Sequence, residues 1–247
     1  MKLKVFSSGS EGNGYLLTAK EGDALVIEAG VPSSSILREI KRDRISGLIV
    51  SHAHGDHAGR LQEYLDMRID TRIHDESLHA IKKEITGYFF PLFFEEGMPF
   101  KLGKYEIISF RLKHDTPCFG FLIRHPDMKG NLLFCTDTAN IPYTFDNVQN
   151  IMIEADYDTT ILKNNIESGK INAYLGKRIC KTHYSINQAI QFCKNRDLSK
   201  VRNIILLHLS KNNSSKDEFR KRMIEETGKP VYIAETGLEI EIGNNPF

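Results

Sequence analysis

Three histidines and an aspartate fall within six residues, His52-Ala53-His54-Gly55-Asp56-His57. They follow directly on Gly47-Leu48-Ile49-Val50-Ser51, a compact apolar run that reads as a buried strand. A loop leaving a strand end can aim several side chains at one point. Imidazole and carboxylate together suit Zn²⁺, Mn²⁺ or Fe²⁺. His52 and His54, two residues apart, can face one ion; Asp56 and His57, after the turn-permitting Gly55, can swing to a second. Ala53, Gly55, Ala58 and Gly59 are small and leave space for ions and substrate. A His-rich solvent loop is the competing reading, and so many ligand types directly after a buried strand argue against it.

A two-ion centre needs further ligands, and strand ends are where to seek them. His114 closes the run Tyr105–Lys113, Asp137 closes Asn131–Thr136, and His208 closes Val201–Leu207. Any one alone reads as a core histidine or a turn aspartate; in this order they complete a set. Around them, Ser7 to Gly14 is a small-residue loop that could present backbone N–H groups to an anion, or simply be a hairpin turn. His183 follows Lys177, Arg178 and Lys181 and could meet a phosphate or protonate a leaving oxygen, or be a surface histidine. Asp156 and Asp158 either buttress the site or cap a following helix. Asp115, beside His114, reads as a supporting group, and His74, His79 and His125 as structural. Tyr88, Phe89, Phe90, Phe93, Phe94 and Phe100 are expected to pack an excursion onto the core; a base-stacking wall or a homodimer contact are the other options.

The pattern H-x-H-x-D-H, then His, Asp and His, resembles that of metallo-β-lactamase-fold hydrolases. Within them the chain is similar to the YycJ/WalJ-type exonuclease branch, through Ser7-Ser8-Gly9-Ser10-Glu11-Gly12-Asn13, His114-Asp115, Thr136-Asp137-Thr138 and Glu154-Ala155-Asp156-Tyr157-Asp158. Arg178-Ile179, His183-Tyr184-Ser185, His208-Leu209-Ser210 and Asn212-Asn213 match as well. The resemblance implies an α/β, four-layer αββα sandwich holding two divalent metal ions, Zn or Mn. One ion would sit on His52, His54 and His114, the other on Asp56, His57 and His208, with Asp137 bridging. It implies a phosphodiesterase on nucleic acid, DNA rather than RNA, most specifically an exonuclease with a metal-bridged hydroxide as nucleophile. Asp56 and His183 would then be catalytic, Glu28 and Asp115 supporting, and Ser8, Asn13, Lys177, Arg178 and Ser210 substrate-binding. Two departures stand out: Glu28 where the family has Asp, and Tyr184 where the branch has Leu. The other functional readings are a small-molecule hydrolase (cyclic phosphodiester, lactone or thioester) and a non-catalytic metal- or nucleic-acid-binding member.

These residues need elements to position them. Alternation and apolar runs predict strands near 2–6, 14–19, 24–28, 45–51, 71–74, 105–113, 119–124, 131–136, 150–154 and 202–207, and two short ones around Gly237. Helices are expected at 35–43, 59–65, 76–84, 185–196 and 215–226. No repeat or Gly/Ser/Pro-rich linker divides the chain, so one domain over 1–247 is expected. With 33 Lys and Arg against 32 Asp and Glu, binding nucleic acid by overall charge is excluded and a local patch must serve. No apolar run is long enough to span a bilayer, the start leaves no room for a secretory segment, and Cys118, Cys135, Cys180 and Cys193 form no C-x-x-C pair. A cytoplasmic protein without a membrane partner is the expectation.

Overall fold

The computed structural model describes residues 1–243. Its strands are, in chain order, β1 (Lys2–Ser7), β2 (Gly14–Thr18), β3 (Ala24–Ile27), β4 (Ile45–Ile49), β5 (Thr71–Ile73), β6 (Leu92–Phe93), β7 (Phe100–Leu102) and β8 (Tyr105–Leu112). There follow β9 (Cys118–Arg124), β10 (Asn131–Cys135), β11 (Val148–Glu154), β12 (Asn203–Leu207), β13 (Val231–Ile233) and β14 (Glu239–Glu241). They form two sheets, ordered β14-β1-β2-β3-β4-β5-β6 and β13-β12-β11-β10-β9-β8-β7. Each sheet is antiparallel on one side and parallel on the other. The parallel strands β3, ALVI, and β12, NIILL, are near-continuous apolar runs because both their faces are covered. The antiparallel strand β1, next to the edge strand β14, alternates instead.

Leu3, Leu17 and Ile27 of the first sheet meet Phe121, Phe134, Met152 and Ile205 of the second in one buried cluster, so the sheets pack face to face. Outside the first sheet, Val26 and Leu48 pack on Ile36 of helix Ser33–Leu37 and on Leu61, Tyr64 and Leu65 of helix Leu61–Asp66. Outside the second, Ile151, Ile153, Ile204 and Leu206 pack on helices Ile186–Lys194 and Lys216–Thr227 through Ile186, Phe192, Phe219 and Met223. The architecture is the expected four-layer αββα sandwich.

Several element boundaries differ from the sequence pattern. The helix expected over 35–43 spans Ser33–Leu37; Ile40 still packs against the core, but the chain beyond it forms a short 3-10 turn, Arg42–Arg44. The helix expected over 76–84 stops at His79. Helix Thr159–Glu167 is the one that Asp158 was read as able to cap, whereas Ala173–Thr182 has no counterpart among the expected elements; each buries only two residues. The strands flanking Gly237 lie in different sheets, with Gly237 turning the chain between them at φ 87°. Of the aromatic cluster, only Phe94 joins the core, with Phe100 packed against it. Tyr88, Phe89, Phe90 and Phe93 stay exposed beside the edge strand β6, which corrects the expected packing. No helix among the described residues is long and apolar enough to cross a membrane.

Candidate metal centre

The candidate ligands collect at one end of the sandwich. Parallel pairing of β3 with β4, and of β10, β11 and β12, turns their carboxyl ends the same way. From those ends leave Glu28, the segment His52–His57, Asp137, Glu154 and His208; His114 leaves β8, which runs with β10. The histidine segment passes directly into the short helix Gly55–Ala58, which holds Asp56 and His57 against the strand ends. There the Asn13 N–H donates to Asp56 O at 2.7 Å and the Ala29 N–H to His57 O at 2.7 Å.

Two groups of ligand atoms result. In one, His54 Nδ1 lies 3.2 Å from both His52 Nε2 and His114 Nε2. Asp137 Oδ2 stands 3.8 Å from His52 Nε2 and 3.9 Å from His114 Nε2. In the other, His57 Nε2 lies 3.4 Å from Asp56 Oδ2 and 3.3 Å from Asp137 Oδ1. His208 Nε2 stands 3.2 Å from Asp56 Oδ2 and 3.8 Å from Asp137 Oδ1. Tetrahedral ligands at about 2.0–2.1 Å from a zinc ion are about 3.3–3.4 Å from one another, so both groups have the spacing a divalent cation requires. Asp137 contributes a different oxygen to each. Electrostatics call for positive charge here too. Burial alone would strip the proton from His57, but Asp137 and Glu28 raise its pKa well above the usual imidazole range. Asp137 is held well below the ordinary carboxylate range: its burial is outweighed by His208 and His57.

The outward nitrogens of the five rings are also placed. The His114 Nδ1–H donates to Thr182 O at 2.8 Å, and His52 Nδ1 pairs with Ser51 Oγ at 2.8 Å. His57 Nδ1 faces Glu28 Oε1 at 3.4 Å, His208 Nδ1 faces Asp156 Oδ1 at 3.7 Å, and His54 Nε2 faces Asp115 Oδ1 at 3.3 Å. The hydrogen bonds of His52 and His114 fix ring orientation and leave the opposite nitrogen free for a cation, while His57 and His208 face their carboxylates beyond hydrogen-bond geometry. Glu28 with its extra methylene comes to 3.4 Å of His57 without a hydrogen bond; it is fully buried, and its Oε2 accepts from the Ser51 N–H. Glu28, Asp137 and His208 have φ of 68°, 41° and 54°, a left-handed backbone rare for such residues and here gathered at one site.

Not every expected residue faces the open trough. A cavity of about 340 Å³ lies over the ligands and is lined by Asp56, Asp137, His208, Arg178 and His183. Asn13 is fully buried instead, its Nδ2 2.9 Å from His57 Nε2 and 3.3 Å from Asp56 Oδ2, so it props the ligands rather than touching substrate. Ser8 accepts the His208 N–H at 2.9 Å and, with Ser210, lines a separate cavity of about 470 Å³. Lys177 is exposed on helix Ala173–Thr182 and lines neither cavity. Arg178 grips Asp115 Oδ2 through Nε at 3.1 Å and Nη2 at 2.8 Å, while Asp115 Oδ1 sits 3.2 Å from His114 Nε2. Asp158 is a helix cap, accepting the N–H groups of Thr160 and Ile161.

Sequence reasoning included Glu154 in a matching segment but gave it no role at the site. Fully buried at the end of β11, it accepts the N–H of Thr138 at 2.7 Å and of Tyr184 at 3.1 Å, and pairs with His183 Nδ1 at 2.6 Å. Burial pushes its carboxyl up, and although burial alone would lower His183, Glu154 lifts that ring above its usual value. Asp137, Glu154, His183 and His208 make a third close group of possible ligands. An acid closing a buried strand, the rule that found Asp137, was the available signal.

The comparisons with known proteins agree with this geometry. A family model described as the Metallo-beta-lactamase superfamily matches residues 8–124. No curated protein matches the chain by sequence. Among solved structures, the metallo-beta-lactamase fold protein YhfI from Bacillus subtilis is similar at 18% identity and TM-score 0.74, covering 97% of this chain and 98% of its own. The short form of human tRNase Z is similar at 16% identity and TM-score 0.67, covering 99% and 100%. A diphosphatase from the PhnP family is similar at 16% identity and TM-score 0.65, covering 97% of each. The chain has the metallo-β-lactamase fold.

Proposed function

We propose that this protein is a metal-dependent phosphodiesterase with a two-ion centre that acts on nucleic acid, DNA before RNA, as an exonuclease. The observation that carries the reading is Asp137, whose Oδ2 joins the His52, His54 and His114 group while its Oδ1 joins the Asp56, His57 and His208 group. Those residues would hold the two cations. Zn²⁺ or Mn²⁺ bound there would supply an acidified water and polarise a phosphoryl oxygen. His183, aimed into the trough with Nδ1 fixed by Glu154, presents Nε2 to protonate the departing oxygen. Arg178, at the wall of the same trough, offers a planar pair of donors to phosphoryl oxygens. Asp115 competes for that guanidinium and holds it beside the first group until an anion arrives.

Support for phosphate chemistry comes from the fold neighbours, one named a tRNase and another a diphosphatase. The four cysteines are free, three of them buried, which fits a chain working as one unit in a reducing, cytoplasmic compartment. The test is activity after reconstitution with Mn²⁺ or Zn²⁺ on end-labelled single- and double-stranded DNA and RNA and on bis(p-nitrophenyl) phosphate, beside an Asp56→Ala/His57→Ala double variant. Stepwise shortening of DNA, absent in the variant, is expected. Turnover of the small diester with DNA intact would select the small-molecule reading instead. Silence on every substrate with two ions bound would contradict a phosphodiesterase.

A further inference from the structure

A second cavity, of about 570 Å³, opens beside the trough and shares His54, Gly55 and Arg178 with it. Its size is that of a ligand pocket. The walls are aliphatic, built from Ala53, Ala58, Leu61, Ala80, Ile81 and Ile85. Lys82, Lys83 and Glu84 also line it, all exposed, and Asp115 lines it while paired with Arg178; neither lysine makes an ion pair among the described residues. Resting on the phosphodiesterase reading above, we propose that this cavity is the subsite for the nucleoside next to the scissile phosphate, with Lys82 and Lys83 receiving the following phosphate.

The argument is one of chemical sequence along the groove. An anion alone needs only the trough, where the two cations would sit beside Arg178, and has no use for an apolar chamber next to it. An aliphatic chain would fill the chamber but leave Lys82 and Lys83 unused, with only the exposed Glu84 and the Arg178-paired Asp115 as acids in the same lining. A group that is anionic, then uncharged and organic, then anionic again satisfies all three zones in order, and a nucleotide chain repeats that pattern. No Phe or Tyr among the described residues lines the chamber, so the base is held by aliphatic contact rather than stacking, and recognition is tolerant of base identity.

Calorimetry on the Mn²⁺-loaded protein tests this with thymidine 5′-monophosphate, adenosine 5′-monophosphate, octyl phosphate and inorganic phosphate as probes. Both nucleotides are expected to bind about tenfold or more tighter than phosphate, which corresponds to about 1.4 kcal/mol. Ala80→Phe, which fills the chamber, is expected to erase that advantage while phosphate still binds. Ile81→Trp repeats the test from the neighbouring wall, so a folding fault in one variant cannot stand in for an answer. A Lys82→Ala/Lys83→Ala variant is expected to weaken a 5′-phosphorylated thymidine dinucleotide more than the mononucleotide. Equal affinity for nucleotide and phosphate, or an advantage that survives both filling variants, would overturn the subsite. So would octyl phosphate binding more tightly than either nucleotide, because the chamber would then belong to an aliphatic chain. Nucleotide preference without phosphodiester turnover would sink the proposed activity and leave the subsite standing; turnover without nucleotide preference would do the reverse.

Discussion

Gly30→Ala is a one-methyl perturbation whose effect follows from the backbone around the second ligand group. Gly30 lies where the chain leaving β3 crosses the Asp56 segment, and its N–H donates to Asn13 O at 2.9 Å. A Cβ there would stand 1.8 Å from Asp56 O, 2.6 Å from Asp56 C and 2.5 Å from Asn13 N, all backbone atoms without a rotamer to yield. Real Cβ contacts stay beyond 3.0 Å, so the two segments must part by about 1.2 Å or more. That movement pulls Asp56 and His57 away from Asp137 and His208 and leaves the His52, His54 and His114 group in place. Overpacking of this kind costs about 1–3 kcal/mol, within the margin of a folded domain. A displacement near 1 Å costs about 100-fold in rate, and disturbed support costs about 10- to 100-fold in metal affinity. Gly55→Ala is the control, one residue from Asp56 but with nothing within 4 Å of its added Cβ. The assay is ions per chain by mass spectrometry at limiting Mn²⁺, with kcat/KM on bis(p-nitrophenyl) phosphate. Gly30→Ala should retain one tight ion and lose activity, whereas Gly55→Ala should keep both ions. Two tight ions in Gly30→Ala, or equal losses in both variants, would refute the reasoning.

Other perturbations have equally definite outcomes. Glu154→Gln removes the charge that holds His183 and should cut kcat by about 10- to 100-fold with little change in KM, while both ions remain countable. Phe219→Ala empties a fully buried position under helix Lys216–Thr227 and should cost about 3–5 kcal/mol in urea unfolding without changing the ion count of the folded protein. Chelation should lower the melting temperature, since ligand at a thousand times its Kd stabilises by about 4 kcal/mol; an unmoved transition would argue against a bound cation. Burial alone would raise the pKa of Asp158, but the Ile161 N–H and Arg222 outweigh it and hold it below the usual carboxyl range. Its depressed folded pKa means the stabilisation is present above the unfolded carboxyl pKa and lost as pH falls through the folded one. Asp158→Ala should therefore cost about 1–2 kcal/mol at neutral pH and progressively less below about pH 4, as followed by urea unfolding.

Which parts of the fold and site were legible follows from where burial is decided. Strands β4, β10 and β12 end in buried apolar residues, so the pattern of residue types alone locates their ends, and with them His52, Asp137 and His208. Helices Thr159–Glu167 and Ala173–Thr182 bury few residues, so the first was legible only as the helix that Asp158 could cap and the second, capped by Asn172, was not located. Residue type alone also did not separate touching substrate from holding a ligand. Asn13 sits in a loop that looked suited to an anion, yet the fold closes over it and turns its amide onto Asp56 and His57. Glu154 was hidden for a related reason: its role arises from the meeting of the Thr138, Tyr184 and His183 segments, far apart in sequence. The exposed Tyr88, Phe90 and Phe93 show the converse, apolar residues that periodicity would bury but that lie beside a sheet edge with no layer over them.

The central claim is a pair of cations shared by Asp137, and the anomalous difference map of crystals grown with Mn²⁺ tests it most directly. Two peaks about 3.5–4 Å apart, one beside Asp137 Oδ2 with His52, His54 and His114 and one beside Oδ1 with Asp56, His57 and His208, are predicted. A single peak, or one lodged among Asp137, Glu154, His183 and His208, would contradict it.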